Sequence, residues 1–485
     1  MSPIKSLRTL CRLILTVAYM LSLDHLAAAQ FETRSFEPTV QAPWGALVAD
    51  FNHDGKLDLA VTTCNSADQV GIMLGNGDGT FQPPVSYNVE ACPGVPVAGD
   101  FNGDGNLDLA VAIYKQNGQF NALAVLLGNG DGTFRNPSYV PTPPFPYFVQ
   151  VGDFNNDGIL DLLTIEPSPN VLSVSLGNGD GTFQPYIESP IPLRDYAIAV
   201  GDFNNDGRLD VAGTFEFGSA SSVQIMLGNG NGTFTYSQSY LVPDPAAITA
   251  ARLTASNNVD LVVANDSAVV ANGISVLLGN GDGTFQPAVN YPTASPTWVA
   301  VGDLDGDGVP DIAVANIFAL NSLYESSVSV LKGNGDGTFQ PGISYRTGQQ
   351  TRFVGLGDLN GDRKVDIVAP SYQLDNVFVL LNSGVVSFSP STPLNFKKQA
   401  VGTTSNPQTV TLTNTGTTAL KIASMKASTE FAVTSTCGSS VAAGANCTIS
   451  ATFSPTKKGA VQGTISIIDS ASSKPQVIEL LGTGT

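Results

Sequence analysis

Six short segments of this chain carry oxygen-bearing side chains at the same spacing. Each spans nine residues, has Asp or Asn at positions 1, 3, 5 and 9, and has Gly at position 6 in five of the six copies. Carboxylate and amide oxygens gathered in one loop are the ligands of a hard cation such as Ca²⁺, and glycine permits the tight reversal that turns them inward. The spacing therefore predicts about six calcium sites.

Position 7 of these loops varies widely in type, as expected if it offers only its backbone carbonyl. Taking positions 1, 3, 5, 7 and 9 of each loop in turn, the predicted ligands are Asp50, Asn52, Asp54, Lys56 and Asp58; Asp100, Asn102, Asp104, Asn106 and Asp108; Asp153, Asn155, Asp157, Ile159 and Asp161; Asp202, Asn204, Asp206, Arg208 and Asp210; Asp303, Asp305, Asp307, Val309 and Asp311; and Asp358, Asn360, Asp362, Lys364 and Asp366. One such loop would also fit an ordinary solvated turn, whereas six copies in phase favour metal binding.

The elements around these loops are strands. Position 12 of the first loop is Val61, where an EF-hand carries a bidentate Glu, and the flanks are short apolar runs rich in β-branched residues. The loops recur about every fifty residues, and a seventh copy at 252–260 keeps only Asp260. We interpret this fifth unit in chain order as a repeat that has lost its metal.

A second motif recurs inside each unit. Residues 74–81 read Leu-Gly-Asn-Gly-Asp-Gly-Thr-Phe and return with small changes at 127–134, 176–183, 227–234, 278–285 and 332–339. A Gly- and Asn-rich stretch between two apolar runs is typical of a β-hairpin turn. The Asp of this motif could be a calcium ligand, but a turn residue is the better interpretation. Four strands per unit, seven times over, predict a seven-bladed β-propeller, with the segment near Phe36 completing the last blade.

Residues 31–389 resemble the FG-GAP/VCBS repeat family, the propeller type of integrin α-subunits, through the Asp-loop and the Gly-Asp-Gly-Thr-Phe hairpin. The resemblance implies calcium at the lower face of the propeller and ligand binding at the upper face or between blades. Two features depart from the family pattern: the metal-poor fifth unit, and Arg363 at position 6 of the last loop. We expect the last site to bind calcium more weakly.

Beyond residue 389 the composition changes to Ser, Thr and β-branched residues. Segments 394–396, 408–416, 447–455 and 480–484 resemble an Ig-like domain of the Hydin/abnormal-spindle type, which is common in bacterial surface proteins. The alternating pattern itself suits a β-sandwich. We thus expect an all-β protein: a signal peptide over 1–29, the seven-bladed β-propeller over 30–389, and an Ig-like β-sandwich over 390–485.

The N-terminus predicts export. Basic residues precede an apolar run over 13–23, and small residues follow at 27–29, which is the pattern of a cleaved secretory signal. With no other long apolar run, we expect no membrane anchor and a secreted, periplasmic or cell-surface location. In that compartment the four remaining cysteines should pair, Cys64 with Cys92 and Cys437 with Cys447, although buried thiols are the alternative.

Charge and composition argue against several classes of function. A formal net charge of −19 argues against nucleic acid as a partner. Once the signal is removed, His53 is the only histidine and lies in a calcium loop, which argues against a Ser-His-Asp triad or a histidine zinc site. We expect a calcium-stabilised module that binds an extracellular glycan or protein in an adhesion-type role. The alternatives are a calcium-dependent polysaccharide lyase or other extracellular enzyme, and a purely structural surface spacer.

Aromatic residues precede several of the innermost strands, five or six residues ahead of the loop. They are Trp44, Tyr147, Tyr196, Trp298 and Phe353. Because these strands run toward the calcium face, the aromatics should ring the opposite mouth of the channel, where flat rings suit stacking on sugars or anchoring a protein. The alternative is ordinary packing between blades.

Overall fold

A computed structural model of the chain describes residues 31–36, 42–64, 68–114, 121–166, 170–192, 195–215, 221–266, 273–318, 325–382, 386–389, 393–414, 419–469 and 475–485. The predicted signal segment, 1–29, lies outside these ranges. The described residues form strands and contain no helix, which confirms the all-β expectation. Accordingly, none of them forms a helix of a length and hydropathy suited to crossing a membrane.

The strands of the N-terminal part fall into sets of four that repeat with the sequence units. In chain order they are β1 (Phe31–Phe36); β2 (Pro43–Ala49), β3 (Asp58–Thr63), β4 (Gln69–Met73) and β5 (Val85–Asn88); β6 (Cys92–Pro93), β7 (Val97–Gly99), β8 (Asp108–Tyr114), β9 (Asn121–Leu126) and β10 (Ser138–Pro141); β11 (Phe148–Gly152), β12 (Asp161–Glu166), β13 (Val171–Ser175) and β14 (Ile187–Pro190); β15 (Asp195–Gly201), β16 (Asp210–Phe215), β17 (Ser222–Gly228) and β18 (Phe234–Leu241); β19 (Pro245–Ala251), β20 (Asp260–Asn265), β21 (Gly273–Leu277) and β22 (Val289–Pro292); β23 (Pro296–Gly302), β24 (Asp311–Asn316), β25 (Ser327–Leu331) and β26 (Ile343–Arg346); and β27 (Gly355–Gly357), β28 (Asp366–Ser371) and β29 (Asn376–Asn382).

Each set forms one antiparallel sheet in which consecutive strands are neighbours, and the described residues make seven such sheets. In the second sheet, β6 and β7 both pair with β8 and together replace a single first strand. The seventh sheet takes its fourth strand from the start of the chain, because β1 pairs with β29. The sequence predicted that an N-terminal strand completes the last sheet, but placed that strand a few residues later, near Phe36.

Neighbouring sheets pack face to face through buried aliphatic side chains. One cluster joins sheets one and two, and similar clusters join two to three, three to four, four to five and five to six. Another joins the first sheet to the seventh, where Leu59 and Met73 pack with Val368 and Val379. The first and seventh sheets therefore pack against each other.

The first strands of several sheets surround a common cavity. β11, β15, β19, β23 and β27 line a space of about 300 Å³, with Gln150, Ile248 and Leu356 among its lining residues. These strands are rich in small residues, which lets several backbones approach one axis. In these five sheets the first strand therefore faces the shared cavity.

The remaining strands belong to a separate compact unit. They are β30 (Val386–Ser389), β31 (Leu394–Gln399), β32 (Gln408–Asn414), β33 (Leu420–Ala427), β34 (Phe431–Ser435), β35 (Ser440–Val441), β36 (Asn446–Phe453), β37 (Gly459–Asp469) and β38 (Gln476–Gly484). They form two sheets, ordered β30-β32-β36-β34 and β31-β38-β37-β33-β35, whose inward side chains share one buried cluster.

The division between the two units falls after Asn382, earlier than the predicted boundary at 389/390. β30 pairs with β32, and Val386 is buried in the C-terminal cluster. A short apolar run such as this one fits a strand of either unit, so its sequence alone does not assign it.

Both predicted disulfides are confirmed. Cys64 is bonded to Cys92 and Cys437 to Cys447, with Cα–Cα distances of 4.7 and 4.9 Å. The first bond joins the end of β3 to the start of β6, so it links two neighbouring sheets. The second closes a short loop between β34 and β36.

Candidate functional site

The six Asp loops share one network of hydrogen bonds, illustrated by the first. Asp50 accepts from the backbone N–H groups of Asp54 and Gly55, at 3.2 and 2.9 Å. Asn52 accepts from the N–H of Asp54 at 3.0 Å, and Asp54 from that of Lys56 at 2.9 Å. The loop is thereby wound so that the oxygens of positions 1, 3 and 5 gather on its inner side.

Two positions of each loop have a left-handed backbone. Position 6 has a φ of +80° to +86° at its five glycines and +67° at Arg363, which still donates its N–H to Asp358 at 2.7 Å. The glycine found at position 6 in five of the six loops led us to expect a positive φ there. Position 4 also has positive φ in all six loops, a feature that our sequence reasoning missed. Its occupants are His53, Gly103, Asn156, Asn205, Gly306 and Gly361, the residue types most tolerant of this conformation, so the signal was present.

The Asp at position 9 ties each loop to its own hairpin. Asp58 is fully buried; its Oδ2 accepts from the N–H of Phe51 at 2.9 Å and its Oδ1 from that of Gly75 at 2.7 Å. Equivalent pairs of bonds, all between 2.7 and 2.9 Å, are made by Asp108, Asp161, Asp210, Asp260, Asp311 and Asp366. This structural role accounts for Asp260, which is kept in a unit that has no other predicted ligand.

Burial opposes the charge on these ninth-position carboxylates. It raises the pKa of Asp161, Asp210 and Asp366 to about 6 and that of Asp311 to about 7, although backbone N–H groups partly offset the effect. The neighbouring acidic residues of each loop raise the pKa further. A cation held beside them would reverse that repulsion.

The sixth unit shows that the oxygens can fit a metal. Oxygen atoms of Asp303, Asp305 and Asp311 lie within 4.8 Å of one another. This spacing suits ligands on opposite sides of one Ca²⁺, since calcium–oxygen distances are about 2.3–2.6 Å. The residues present therefore fit calcium, which would be held by loop positions 1, 3, 5, 7 and 9.

The Asp loop of the sixth unit is joined to its hairpin by an ion pair, whereas the ion pairs of the first, fourth and seventh loops join two residues of the same loop. Asp305 stands at position 3, where the other loops have Asn, and its Oδ2 lies 3.0 Å from Nζ of Lys332. Lys332 begins the hairpin motif, at a position that is Leu in the other five copies. Both residue differences, Asp for Asn and Lys for Leu, occur in the same unit. The negative charge of the additional carboxylate is therefore balanced by a nearby ammonium group. Our sequence reasoning recorded each change without connecting them.

The hairpin Asp acts as a turn residue. Asp78 accepts from both the N–H and the hydroxyl of Thr80, at 3.0 and 2.5 Å, and Asn231 makes the same two bonds with Thr233. An uncharged Asn therefore fills the position equally well, which agrees with the turn interpretation.

Each hairpin also joins its sheet to the loop of the preceding unit. The ring of Phe134 packs edge-on against that of Phe51, with 5.6 Å between the ring centroids. The same contact joins Phe183 to Phe101, Phe234 to Phe154 and Phe285 to Phe203. The N–H of Gly79 in the first unit donates to the carbonyl of Leu359 in the seventh at 2.9 Å. The loops therefore lie within the contacts that hold neighbouring sheets together.

The predicted aromatic residues lie at the other end of the sheets, and most of them form one connected cluster. The ring centroid of Trp298 lies 5.0 Å from that of Phe353 and 5.8 Å from that of Phe148. The centroids of Phe148 and Tyr147 are also 5.8 Å apart. A second contact joins Trp44 to Tyr372 at 6.1 Å. We call Trp44, Tyr147, Phe148, Trp298 and Tyr372 the aromatic mouth.

Exposure differs within this group. Tyr147 is 41% exposed, whereas Trp44 and Trp298 are half-buried. Phe353, also predicted to contact a ligand, is buried and packs against the ring of Trp298. Tyr196 lies in β15, and its side chain is not among those described. Phe148, one residue after Tyr147, was missed by the sequence reasoning.

Comparison with known families matches both parts of the chain. A model described as an FG-GAP-like repeat matches residues 50–111, 100–164, 153–213 and 253–314. A second, described as "Abnormal spindle-like microcephaly-assoc'd, ASPM-SPD-2-Hydin" and abbreviated ASH, matches 384–477. No curated protein matches the sequence significantly.

Similar solved structures include three bacterial proteins. One is a protein of unknown function from Dyadobacter fermentans (14% identity, 72% of this chain and 98% of that one, TM-score 0.40). Another is the biofilm matrix protein Bap1 of V. cholerae (14%, 93% and 85%, TM-score 0.35). The third is a protein of unknown function from Porphyromonas gingivalis (13%, 46% and 90%, TM-score 0.19). The family matches therefore identify FG-GAP-like repeats within residues 50–213 and 253–314 and an ASH-like, Hydin-type segment over residues 384–477.

Proposed function

We propose that this chain is a secreted, calcium-binding, seven-bladed β-propeller that holds an extracellular glycan or protein at its aromatic mouth. The C-terminal unit would be an Ig-like β-sandwich that acts as a spacer. The ring arrangement is supported by the pairing of β1 with β29 and by the packing of the first sheet on the seventh. Two disulfides are compatible with an oxidising compartment.

Calcium would have a structural role in this proposal. The loops lie at one end of the sheets and are bonded to hairpins of their own and neighbouring units, so an ion there would stiffen the ring. The mouth lies at the other end, where the first strands begin. Ligand binding would therefore depend on calcium through the stability of the propeller and without direct contact between ion and ligand.

The observation that carries the binding role is the aromatic mouth itself. Tyr147 keeps 41% of its surface exposed while its ring touches Phe148, so it offers a flat face on a supported platform. Aromatic rings with a polar edge are favoured both for stacking on sugars and as anchors in protein interfaces. We expect a non-catalytic role and therefore no turnover of polysaccharides.

A glycan array probed with the mature protein, with and without calcium, tests the proposal. Tyr147→Ala should abolish binding and leave the melting temperature nearly unchanged. Tyr236→Ala is the matched control, because Tyr236 is similarly exposed at 43% but lies on the outermost strand β18. Binding that survives Tyr147→Ala, or is lost equally in both variants, would refute the aromatic mouth. Release of unsaturated sugars would favour the lyase alternative.

A further inference from the structure

Arg352 lies within the aromatic mouth, between the buried residues Thr351 and Phe353. Its guanidinium carbon is 4.8 Å from the ring centroid of Trp44, within the range of a cation–π contact. Its backbone carbonyl accepts from the hydroxyl of Thr297 in the neighbouring sheet at 3.2 Å. The residue is therefore anchored to two other sheets, through its side chain to Trp44 and through its backbone to Thr297.

The guanidinium has a donor without a partner. Its Nε is buried, and no described residue accepts a hydrogen bond from it. Buried polar groups are nearly always paired, so an orphaned donor on a charged group indicates a missing acceptor. Nε itself is sealed from solvent, so a ligand would meet the terminal nitrogens of this partly exposed side chain, which can hold a carboxylate through two parallel hydrogen bonds.

The charges around Arg352 do not supply that acceptor. Asp266 is the acidic residue in electrostatic reach, but the ion pairs of the described residues include none between the two. Tyr147 and Tyr372 are the other titratable groups that face it. Burial lowers the pKa of Arg352, yet a guanidinium stays protonated at physiological pH. Asp266 thus offsets the charge of Arg352 only at a distance, and the described residues place no carboxylate in a direct ion pair with the guanidinium.

We propose that Arg352 is an anion subsite that binds the carboxylate of an acidic sugar, so that the ligand is a uronate-containing glycan. This inference rests on the proposed binding function and specifies its ligand class. The platform of Trp44 and Tyr147 around the cation favours a sugar over an acidic peptide, because a pyranose face can stack on a ring while its carboxylate reaches the guanidinium. A planar, bidentate contact also distinguishes Arg from Lys at this position.

The test compares a trisaccharide of galacturonate with its carboxyl-reduced, neutral counterpart by calorimetry in one calcium-containing buffer. We expect the wild type to bind the acidic form at least about tenfold more tightly, in line with a charge-assisted pair. Arg352→Gln should remove this preference and Arg352→Lys should restore only part of it. Arg346→Gln is the matched control, since Arg346 is 80% exposed in a surface pair with Glu325. Melting curves of every variant verify folding.

Each other outcome has a definite meaning. Equal binding of the acidic and neutral forms, lost in Tyr147→Ala, would keep the glycan-binding function and overturn the role of Arg352. A preference for the acidic form that persists in Arg352→Gln would also overturn it. Binding of an acidic peptide but of no uronate oligosaccharide would overturn the sugar class. If neither form binds, the uronate class falls, and if the glycan array also finds no ligand that depends on Tyr147, the proposed function falls as well.

Discussion

Glu166 is a buried carboxyl group outside the metal loops. It lies at the end of β12, and its two oxygens accept from the hydroxyls of Thr164 and Ser173 at 2.5 and 2.9 Å. Burial raises its pKa from 4.5 to about 8, and the nearby Glu188 contributes in the same direction. The side chain is therefore neutral in the folded protein at pH 7 and charged in the unfolded chain.

This difference predicts a loss of stability with rising pH. Between about pH 4.5 and 8 the folded state holds a proton that the unfolded state releases, so the free energy of unfolding falls as pH rises. Glu166→Gln keeps the polar contacts and removes the titration. It should stabilise the protein increasingly toward pH 8, by up to about 1.4 kcal/mol per pH unit. Denaturant unfolding at pH 5 and 8 measures this, with exposed Glu90→Gln as control. A pH-independent difference would contradict it.

The backbone of Arg363 has a strained, left-handed conformation that glycine would adopt without strain. Its φ of +67° is left-handed, which costs an L-residue roughly 1–2 kcal/mol, whereas glycine loses about 0.5–1 kcal/mol through chain entropy. Arg363→Gly should therefore raise the free energy of unfolding by up to about 1 kcal/mol and tighten one calcium site. Arg363→Ala removes the charge but keeps the strain, so calcium titration of both variants separates the two causes. Equal affinities in Gly and Ala variants would assign the effect to charge alone.

The loops and hairpins act together as connecting elements. The ninth-position Asp of each loop bonds both its own loop and its own hairpin, and that hairpin reaches the loop of the preceding unit. The fifth unit keeps this connection through Asp260, although the rest of its loop is held by Thr254, Ser256 and Asn258. In the fifth unit the connection is thus made without acidic residues at loop positions 1, 3 and 5.

Asp260→Ala tests this separation of roles. The change leaves the buried N–H groups of Leu253 and Gly279 without acceptors, at a cost of roughly 2–4 kcal/mol. The number of bound calcium ions should not change. Asp206→Ala, in the fourth loop, should instead remove one ion per chain. Elemental analysis combined with thermal melting measures both quantities, and loss of an ion in Asp260→Ala would show that the fifth loop binds metal.

Sequence reasoning succeeded for these elements where a role depends on local residue types. Position 6 needs φ above zero, and Gly in five of six copies indicates it directly. It failed where partners are distant in sequence. The pairing of Lys332 with Asp305 requires knowing that the hairpin lies beside the loop of its own unit, and the stacking of Arg352 on Trp44 requires knowing which sheets are neighbours. Exposure at the mouth was unpredictable for the same reason, since Phe353 and Tyr147 occupy similar positions but have opposite environments.

In the N-terminal unit as a whole, each predicted calcium site lies at a junction between sheets. The first sheet packs on the seventh through Leu59 and Val368, and the bond from Gly79 to Leu359 joins the first hairpin to the last loop. An ion that orders one loop would therefore also support the contact with the next sheet. Its loss should weaken both sheets at that junction.

Chelation of calcium should accordingly lower the melting temperature of residues 33–382 by a large amount. An ion bound only to the folded state stabilises it by about 2.7 kcal/mol per site at a hundredfold excess over Kd, so six sites together could exceed the whole stability of an ordinary domain. The C-terminal unit, which lacks Asp loops, is an internal control: its own transition should not move when chelator is added. Scanning calorimetry resolves the two transitions, and elemental analysis should find about six calcium ions per chain. Magnesium should restore little stability, because it prefers a tighter octahedral shell. An unchanged first transition in chelator would refute the calcium assignment; a shift of both transitions would attribute the effect to the chelator.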